Sequence, residues 1–342
     1  MTEGLIGSWS SEDSSLPEVL GRLERLRREA DRTASRAAVV NLVVVAAVDA
    51  AADRVVASVA GLGAHHPGRI VVLVPESPAG PDGSTGTAGA APELAARIEL
   101  RESDATGRRL WWEVVLLRAR GPVCGHLESL MQPLLLHDLP VALWLAGGAS
   151  TVDSPAVVAG AHHVIVSGER AAATGRSSVA DDLAALAARR PLADLAWLAI
   201  EPARRAVARL FDPPERRAGL SGASVAVTGP PWSSRLLAAW LVERAGIDPR
   251  LVTLGADPEG AGRLRAEIDL EGRAAVVDAG AVWPAGAGGS AGPGAARAWL
   301  GPATVVVPHG GSDTPTLLAA ALTHPGRDPR YEAALAVAAG MF

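Results

Sequence analysis

LWWEVVLLRARGPVCGHLESLMQPLLLHDLPVALWLAGG, residues 110–148, is the stretch that decides the fold of this chain. It opens with an apolar, β-branched run, passes through a short segment with helical spacing, turns at Pro140 and ends in a second apolar run. Apolar runs of this length are typical of strands buried on both faces, as in parallel sheets. The stretch therefore predicts a strand, a helix over residues 123–132 and a second strand of an α/β core.

The sequence before this stretch carries further strand and helix signals. Apolar, β-branched runs predict strands at residues 38–48, 69–74, 94–100 and 110–118, the last two as a hairpin. Ser15 and Glu18 fit a capping box that starts an amphipathic helix, and residues 49–62 predict another helix. Residues 1–14 are polar and acidic and are predicted to be a mobile tail. The first half, residues 1–190, is thus predicted to be a layered α/β domain with a mostly parallel sheet.

The second half, residues 191–342, is predicted to be a smaller α+β domain. A long amphipathic helix over residues 194–211 is expected to stop at the Asp-Pro-Pro of residues 212–214. Single strands are predicted at residues 224–228 and 303–307, and three strands in meander order at residues 251–254, 263–270 and 274–278. Helices are predicted at residues 234–245, 314–322 and 330–339, and residues 284–296 read as a flexible Gly-rich loop.

Composition excludes several classes of function. The net charge is −5 and the arginines are interspersed with acids, which argues against a nucleic-acid-binding stripe. The chain contains no lysine, so Schiff-base and P-loop lysine chemistry are excluded. No apolar run reaches the roughly 20 residues of a membrane span, and the N-terminus lacks signal-peptide order. We expect a cytoplasmic protein without membrane contact.

Candidate catalytic and cofactor motifs are few. A G-x-G-x-x-A pattern at residues 286–291 lies in low-complexity sequence and runs into Gly-Pro-Gly, so a surface linker is favoured over dinucleotide binding. The histidines show no ligand spacing, and the single cysteine, Cys124, lies two residues from His126, on a different side of a helix. Asp138 before Pro140 suits a turn role better than a catalytic one. The sequence predicts no catalytic residue, cofactor or metal.

Five segments, in order, resemble the family of OpcA-type glucose-6-phosphate dehydrogenase assembly proteins. They are HPGR at residues 66–69, GP at 121–122 with LLLHDLPVALW at 134–144, DLAW at 194–197, LFDPP at 210–214 and DPRYEAAL at 328–335. The chain departs from the family pattern at His137, at Ser167 and over residues 198–205. The resemblance covers residues 20–340 and implies a non-enzymatic partner of that dehydrogenase, which assembles and activates it at the entry to the oxidative pentose phosphate pathway.

Two other functions stay open from the residues alone. One is a diverged α/β enzyme, a transferase or hydrolase, with its site at the C-terminal strand ends of the first domain. The other is a sensor that binds a sugar phosphate through arginine. Self-association is undetermined.

The resemblance also implies candidate partner-surface or motif residues, since strand-end loops often gather at one edge of a sheet. We expect Arg69, Asp138 and Trp144 to lie together, with Arg69 an exposed anchor; the alternative is that these residues only fix the fold. A tryptophan can be core or an interface hot spot. The full set is His66, Pro67, Arg69, Asp138, Leu139, Pro140, Trp144, Asp194, Trp197 and Tyr331.

Overall fold

The computed structural model of the 342-residue chain describes residues 3–30, 35–36, 38–46, 55–59, 62, 66, 68–76, 93–103, 110–146, 155–175, 178–282 and 294–341. The chain divides into two compact units, Met1–Ile165 and Val166–Phe342. Both contain helices and a mixed sheet, which confirms the predicted α/β class.

The first unit is built on one twisted sheet. Its strands are β1 (Glu3–Ser11), β2 (Ser35–Arg36), β3 (Val40–Val45), β4 (Gly68–Glu76), β5 (Leu94–Ser103), β6 (Leu110–Arg120), β7 (Val141–Leu145) and β8 (His163–Val166). Within the unit they run in the order β1-β5-β6-β4-β3-β7-β8, with β2 on β6. The β6–β4, β4–β3 and β3–β7 pairs are parallel, as predicted. These strands are almost wholly buried, as expected for strands rich in Val, Leu and Ile in a parallel sheet.

The hairpin prediction is confirmed, because β5 and β6 pair antiparallel from Leu94↔Ala119 to Ser103↔Leu110. The predicted mobile tail is wrong. Residues 3–11 form β1, an edge strand paired antiparallel with β5. The strand was missed because its stability comes from pairing with a distant segment and not from its own apolar pattern.

The helices of the first unit are short except the first. They are α1 (Leu16–Ala30), α2 (Leu127–Met131) and α3 (Pro155–Ala159), and residues 55–59 are also helical. The serine half of the capping box is present at α1, where Oγ of Ser15 accepts a hydrogen bond from the Glu18 N–H at 3.4 Å. The predicted helix over residues 123–132 is instead a 3₁₀ turn (Gly121–His126), α2 and a second 3₁₀ turn (Gln132–Leu134), because Pro122 and Pro133 interrupt regular helix bonding.

The second unit contains a six-stranded sheet and most of the helices. The short strand β9 (Leu192–Asp194) is not part of this sheet. The six strands of the sheet are β10 (Ser224–Thr228), β11 (Val252–Gly255), β12 (Arg263–Leu270), β13 (Arg273–Ala281), β14 (Gly294–Leu300) and β15 (Ala303–His309). Its helices are α4 (Gly168–Ala173), α5 (Val179–Arg189), α6 (Leu195–Ala199), α7 (Glu201–Leu210), α8 (Pro214–Arg217), α9 (Pro231–Ala245), α10 (Thr314–Thr323) and α11 (Pro329–Met341), with 3₁₀ turns at Leu220–Gly222 and Pro249–Leu251.

Three predictions for the second unit are wrong. The strand order of its sheet is β11-β10-β12-β13-β14-β15, and β11 pairs parallel to β10, so the meander begins only at β12. β14 occupies part of the segment read as a loop, because its Gly and Ala residues gave no strand signal. The single helix predicted over residues 194–211 is α6 and α7, broken at Ile200, because Pro202 cannot continue the hydrogen-bond ladder.

No helix within the described ranges is long and apolar enough to cross a membrane.

Candidate functional site

The first candidate site lies at the amino ends of the central parallel strands of the first unit. Asn41 of β3 pairs in register with Arg69 of β4 and Val141 of β7, and Arg69 pairs with Glu113 of β6. Three polar side chains therefore lie side by side near the amino ends of three neighbouring strands that are mostly apolar. All three are buried, Asn41 at 0%, Arg69 at 3% and Glu113 at 1% exposure.

Glu113 joins two arginines. Its Oε1 lies 2.6 Å from Nε of Arg27 on α1, and its Oε2 lies 3.1 Å from Nη2 of Arg27 and 2.5 Å from Nε of Arg69. A buried carboxylate needs such charge-assisted partners, because a buried charge without a partner is strongly destabilising. Arg69 also donates through Nη1 to the carbonyl of Leu134. The ion pairs thus connect β6 to the segment that follows α2.

Asn41 holds the same segment. Its Nδ2 donates to the carbonyls of Leu136 at 2.9 Å and Leu139 at 3.2 Å, and its Oδ1 accepts from the Leu136 N–H at 2.9 Å. One buried amide therefore satisfies three backbone groups of a turn that has no sheet partner of its own. We call residues 134–140 the braced turn, because Asn41 and Arg69 hold it from beneath.

The braced turn presents some of the predicted residues to solvent, and others are core. Asp138 and Pro140 are exposed and Leu139 is half-buried. Trp144, four residues further along, is 2% exposed inside β7, and Arg69 is 3% exposed. The interpretation of Arg69 as an exposed anchor is therefore wrong. Arg69 forms a buried ion pair with Glu113, a partner that was not predicted from the sequence.

The turn that leads into β4 has a steric requirement. Gly68 lies against β3, and a Cβ there would collide with the carbonyl of Val40. Only glycine allows the two strands to start side by side at this point. His66 is half-buried and its N–H donates to the Leu62 carbonyl at 2.7 Å, while Pro67 lies outside the described residues.

The second candidate site is in the second unit and centres on Asp194. Oδ1 of Asp194 accepts from the N–H groups of Gly168 at 3.0 Å and Ala196 at 2.9 Å. Oδ2 accepts from Nε1 of Trp232 at 2.7 Å and from the hydroxyl of Tyr331 at 3.3 Å. The carboxylate caps α6 and at the same time joins α4, α9 and α11. Burial raises the pKa of Asp194, and these donors oppose the rise.

A second buried carboxylate lies in the same cluster. Glu169 accepts from the N–H groups of Trp232 at 3.2 Å and Ser233 at 2.8 Å, and from the Ser233 hydroxyl at 2.9 Å. It thereby fills the amino end of α9, where backbone donors and the helix dipole favour a negative charge. Burial raises the pKa of Glu169, the donors lower it, and the charge of Asp194 raises it further.

Trp197 connects this cluster to the start of α11. Its Nε1 donates to Oδ2 of Asp328 at 2.8 Å, and Oδ1 of Asp328 caps α11 by accepting from the Arg330 and Tyr331 N–H groups. The rings of Trp197 and Tyr331 lie 5.5 Å apart. The guanidinium of Arg204 lies 3.4 Å from the centroid of the Trp197 ring, a cation–π contact, and burial lowers the pKa of Arg204 to about 10.

The structure therefore brings together three of the predicted residues, Asp194, Trp197 and Tyr331, from two motifs. Asp194 is 0%, Tyr331 1% and Trp197 2% exposed, so none can touch a partner or a substrate directly. Burial raises the pKa of Tyr331 well above its usual value, with the neighbouring carboxylate of Asp194 adding to the rise. These hydrogen bonds hold α4, α6, α9 and α11 in fixed positions relative to one another. We call Asp194, Glu169, Trp197, Trp232 and Tyr331 the buried carboxylate cluster.

Sequence reasoning missed several members of both sites. Glu113 carried a signal, because a charged residue inside an apolar strand must find a buried partner. Asn41 carried the same signal within the β3 run. Glu169, Gly168 and Trp232 belong to no motif and become significant only through contacts with residues more than 25 positions away in sequence. Gly168 is required, because a Cβ there would collide with Trp232 and Asp194.

A surface pocket of about 420 Å³ opens elsewhere in the second unit, between the ends of α7 and α9. Phe211, Leu220 and Trp240 contribute an apolar floor, and Arg217 and Arg244 lie at its rim. Arg217 already donates to the carbonyls of Phe211 at 3.4 Å and Asp212 at 2.6 Å. Part of the donor capacity of Arg217 is therefore already used within the protein. Among the described residues, no group of three or more His, Cys, Asp or Glu could hold a metal ion.

The fold and these sites define a class of protein with two α/β units, in which buried motif residues such as Arg69, Asp194, Trp197 and Tyr331 hold helices and turns in place. Two family models match the chain, one described as the glucose-6-phosphate dehydrogenase subunit N-terminal domain over residues 59–188, and one as the C-terminal domain of that subunit over residues 190–335. The chain belongs to the OpcA family of glucose-6-phosphate dehydrogenase assembly proteins, which confirms the family indicated by its motifs. Comparison with curated proteins gives no match.

Proposed function

We propose that this chain is a non-catalytic assembly factor and allosteric activator of glucose-6-phosphate dehydrogenase, and that it acts by protein–protein binding. The observation that carries the proposal is the pair of family matches over residues 59–188 and 190–335, whose descriptions name a subunit of that dehydrogenase. The buried polar groups agree with a supporting role. Hydrogen bonds to backbone groups are made by Arg69, Asn41 and Asp194, and these bonds hold backbone segments in place.

The proposed contact surface is the exposed side of the braced turn. His137, Asp138 and Pro140 are exposed there, and Leu139 is half-buried. The backbone beneath them is fixed by Asn41, so little conformational entropy is lost when a partner binds. A pre-ordered turn that combines a charge, an imidazole and an apolar ring suits recognition of a protein surface.

The proposed mechanism is linkage between two binding equilibria. The chain binds the active conformation or oligomer of the dehydrogenase more tightly than the alternative, and so shifts that population. A tenfold shift in substrate affinity requires only about 1.4 kcal/mol of differential binding. An interface of modest size supplies this difference.

The absence of catalysis is part of the proposal. We expect no NAD(P)-dependent oxidation of glucose 6-phosphate by the isolated chain purified from a host that lacks the dehydrogenase. Turnover by such a preparation would favour the enzyme alternative, and stabilisation of the isolated chain by glucose 6-phosphate in a thermal-shift assay would favour the sensor.

The experiment that tests the function is co-elution of the chain with its cognate dehydrogenase, followed by kinetics of the complex. Asp138→Asn removes an exposed carboxylate from the braced turn, and Glu128→Gln is its matched control, since Glu128 is an exposed carboxylate on α2. We expect co-elution and activation by the unmodified chain, weaker binding of D138N, and unchanged binding of E128Q. No co-elution at saturating concentration would overturn the function, whereas equal binding by both variants would move the contact surface away from the braced turn.

A further inference from the structure

The outermost strand of the second unit's sheet, β15, has an unusual composition for an edge. It lies at the end of the strand order and pairs antiparallel with β14 from Leu300↔Ala303 to Gly294↔His309. Its seven residues read ATVVVPH and carry no acidic residue, lysine or arginine. Thr304 is exposed, and Val306 is 50% exposed. Among the helices and strands in the described ranges, β15 packs against β14 and α7.

The opposite edge of the same sheet is protected. β11 has only four residues, and Arg250 and Asp257 flank it. Natural sheets shorten, charge or cover their edges, since an exposed, apolar edge strand pairs with other chains. By this standard β11 is protected against pairing with another chain, and the middle of β15 is not.

Two prolines define which backbone groups β15 offers. Pro308 has no N–H, and a proline fits an edge strand where its nitrogen faces away from the neighbouring strand. Backbone groups of an antiparallel strand point alternately to its two sides. Thr304 and Val306 therefore turn their N–H and C=O groups toward the open edge, and Pro302 and Pro308 bound this short row at either end.

We propose that β15 is a self-association surface through which two copies of this chain pair antiparallel about a two-fold axis at Val305. In this register Thr304 of one copy lies opposite Val306 of the other, and the two pairs exchange four N–H···O bonds. Pro302 lies opposite Pro308, so no donor at the ends of the row is left unmatched. The two-fold axis makes the surface self-complementary, and the absence of charge on β15 leaves nothing to repel the second copy.

The strand's own pattern favours a second copy over a strand of another protein. Pro302 and Pro308 lie three residues to either side of Val305, so the two-fold register places a proline opposite each proline. A strand of another protein would match this row only if it also lacked donors at those two positions. The flanking prolines also stop the pairing after one short ladder, which gives a closed dimer and prevents extended edge-to-edge growth. This inference is independent of the function proposed above.

The test is the mass of the full-length chain alone, measured by light scattering over a wide concentration range. Val306→Lys places a charge on the exposed face of the edge, and Val306→Pro removes the outward N–H while keeping that face apolar. Leu254→Lys is the matched control, because Leu254 is 37% exposed on the opposite edge strand. Far-ultraviolet circular dichroism and thermal unfolding verify that each variant is folded.

We expect a concentration-dependent dimer for the unmodified chain and for L254K, and a dimer dissociation constant at least tenfold higher for V306K and V306P. A monomeric unmodified chain at every concentration would overturn the proposal. So would a V306P dimer as tight as the original. If the chain alone is monomeric and V306K loses binding to the dehydrogenase instead, β15 docks that enzyme and self-association is refuted.

Discussion

Trp197 donates its indole N–H to Oδ2 of Asp328, 2.8 Å away in space and 131 residues away in sequence. The hydrogen bond joins the DLAW segment to the DPRYEAAL segment, so the two most distant motifs of the second unit form one contact. Asp328 also caps α11 and thereby delivers Tyr331 to Asp194. The motifs are therefore parts of one buried assembly, and their pairing explains why both occur in one chain.

A double-mutant cycle measures this relationship. We expect Trp197→Phe and Asp328→Asn each to lower the free energy of unfolding, with a coupling of about 1 kcal/mol, because the bond joins a buried indole donor to a side-chain carboxyl group. Urea unfolding of the two single variants and the double variant gives the coupling. The control cycle combines Trp197→Phe with Asp269→Asn, an exposed carboxylate on β12, and should show no coupling. Strict additivity of W197F and D328N would mean that replacing the carboxyl group of Asp328 by an amide does not weaken this contact.

Gly168 tests the packing around the buried carboxylate cluster. We expect Gly168→Ala to lower the free energy of unfolding by about 1–3 kcal/mol, because the added methyl group collides with Trp232 and Asp194 in a closely packed region. Gly222→Ala is the matched control, since a Cβ there has no atom within 4 Å, and its effect should stay within about 0.5 kcal/mol. Thermal and urea unfolding give both values. A G168A variant as stable as the control would contradict the close approach.

We expect the stability of the fold to depend on pH because His163 is buried. This residue is 2% exposed, neither ring nitrogen has a hydrogen-bond partner among the described residues, and burial lowers its pKa from 6.5 to about 4. Between these pKa values the unfolded chain takes up a proton and the folded chain does not. Stability from this group is therefore complete above pH 6.5 and is lost as the pH falls toward 4.

The expected loss from this histidine between pH 7 and pH 5 is about 2 kcal/mol. Asp194 and Glu169, whose pKa values are raised, act in the opposite direction, but they do so equally in every variant. The readout is therefore the difference in pH dependence between the unmodified chain and H163Q, with H137Q as the exposed-histidine control. H163Q should lose that much less stability on acidification, and H137Q should follow the unmodified chain. Parallel curves for all three would refute the assignment.

Much of the fold was predictable because its strands are local apolar runs. β3, β4, β6 and β7 each contain a run of mostly Val, Leu and Ile, and the Ser15–Glu18 box marks the start of α1. β1 and β14 were not predictable. Each is stabilised by a neighbouring strand, β5 or β13, and its own sequence is rich in Ser, Gly or Ala. Pairing between distant segments leaves no periodic pattern in the strand that depends on it.

The sites were predictable only in part. Motif resemblance named Asp194, Trp197 and Tyr331, but nothing in their spacing indicated that the three side chains meet. Arg69 was expected on the surface because loop residues usually are, and its burial follows from Glu113, a charge placed inside a strand. Glu113 and Asn41 could have been noticed in the sequence, because each is a polar side chain inside an apolar strand. Their partners could not be predicted, because these come from other elements whose positions only the structure gives.

The most direct test of the account is a reciprocity measurement on the chain and its cognate dehydrogenase. The affinity of the enzyme for glucose 6-phosphate is measured with and without saturating chain, and the affinity of the chain for the enzyme is measured with and without saturating substrate. If the chain is an allosteric activator, both affinities rise by the same factor, because coupling free energy is shared by the two ligands. An affinity of the chain that does not respond to substrate, together with an enzyme whose substrate affinity does not respond to the chain, would contradict the account.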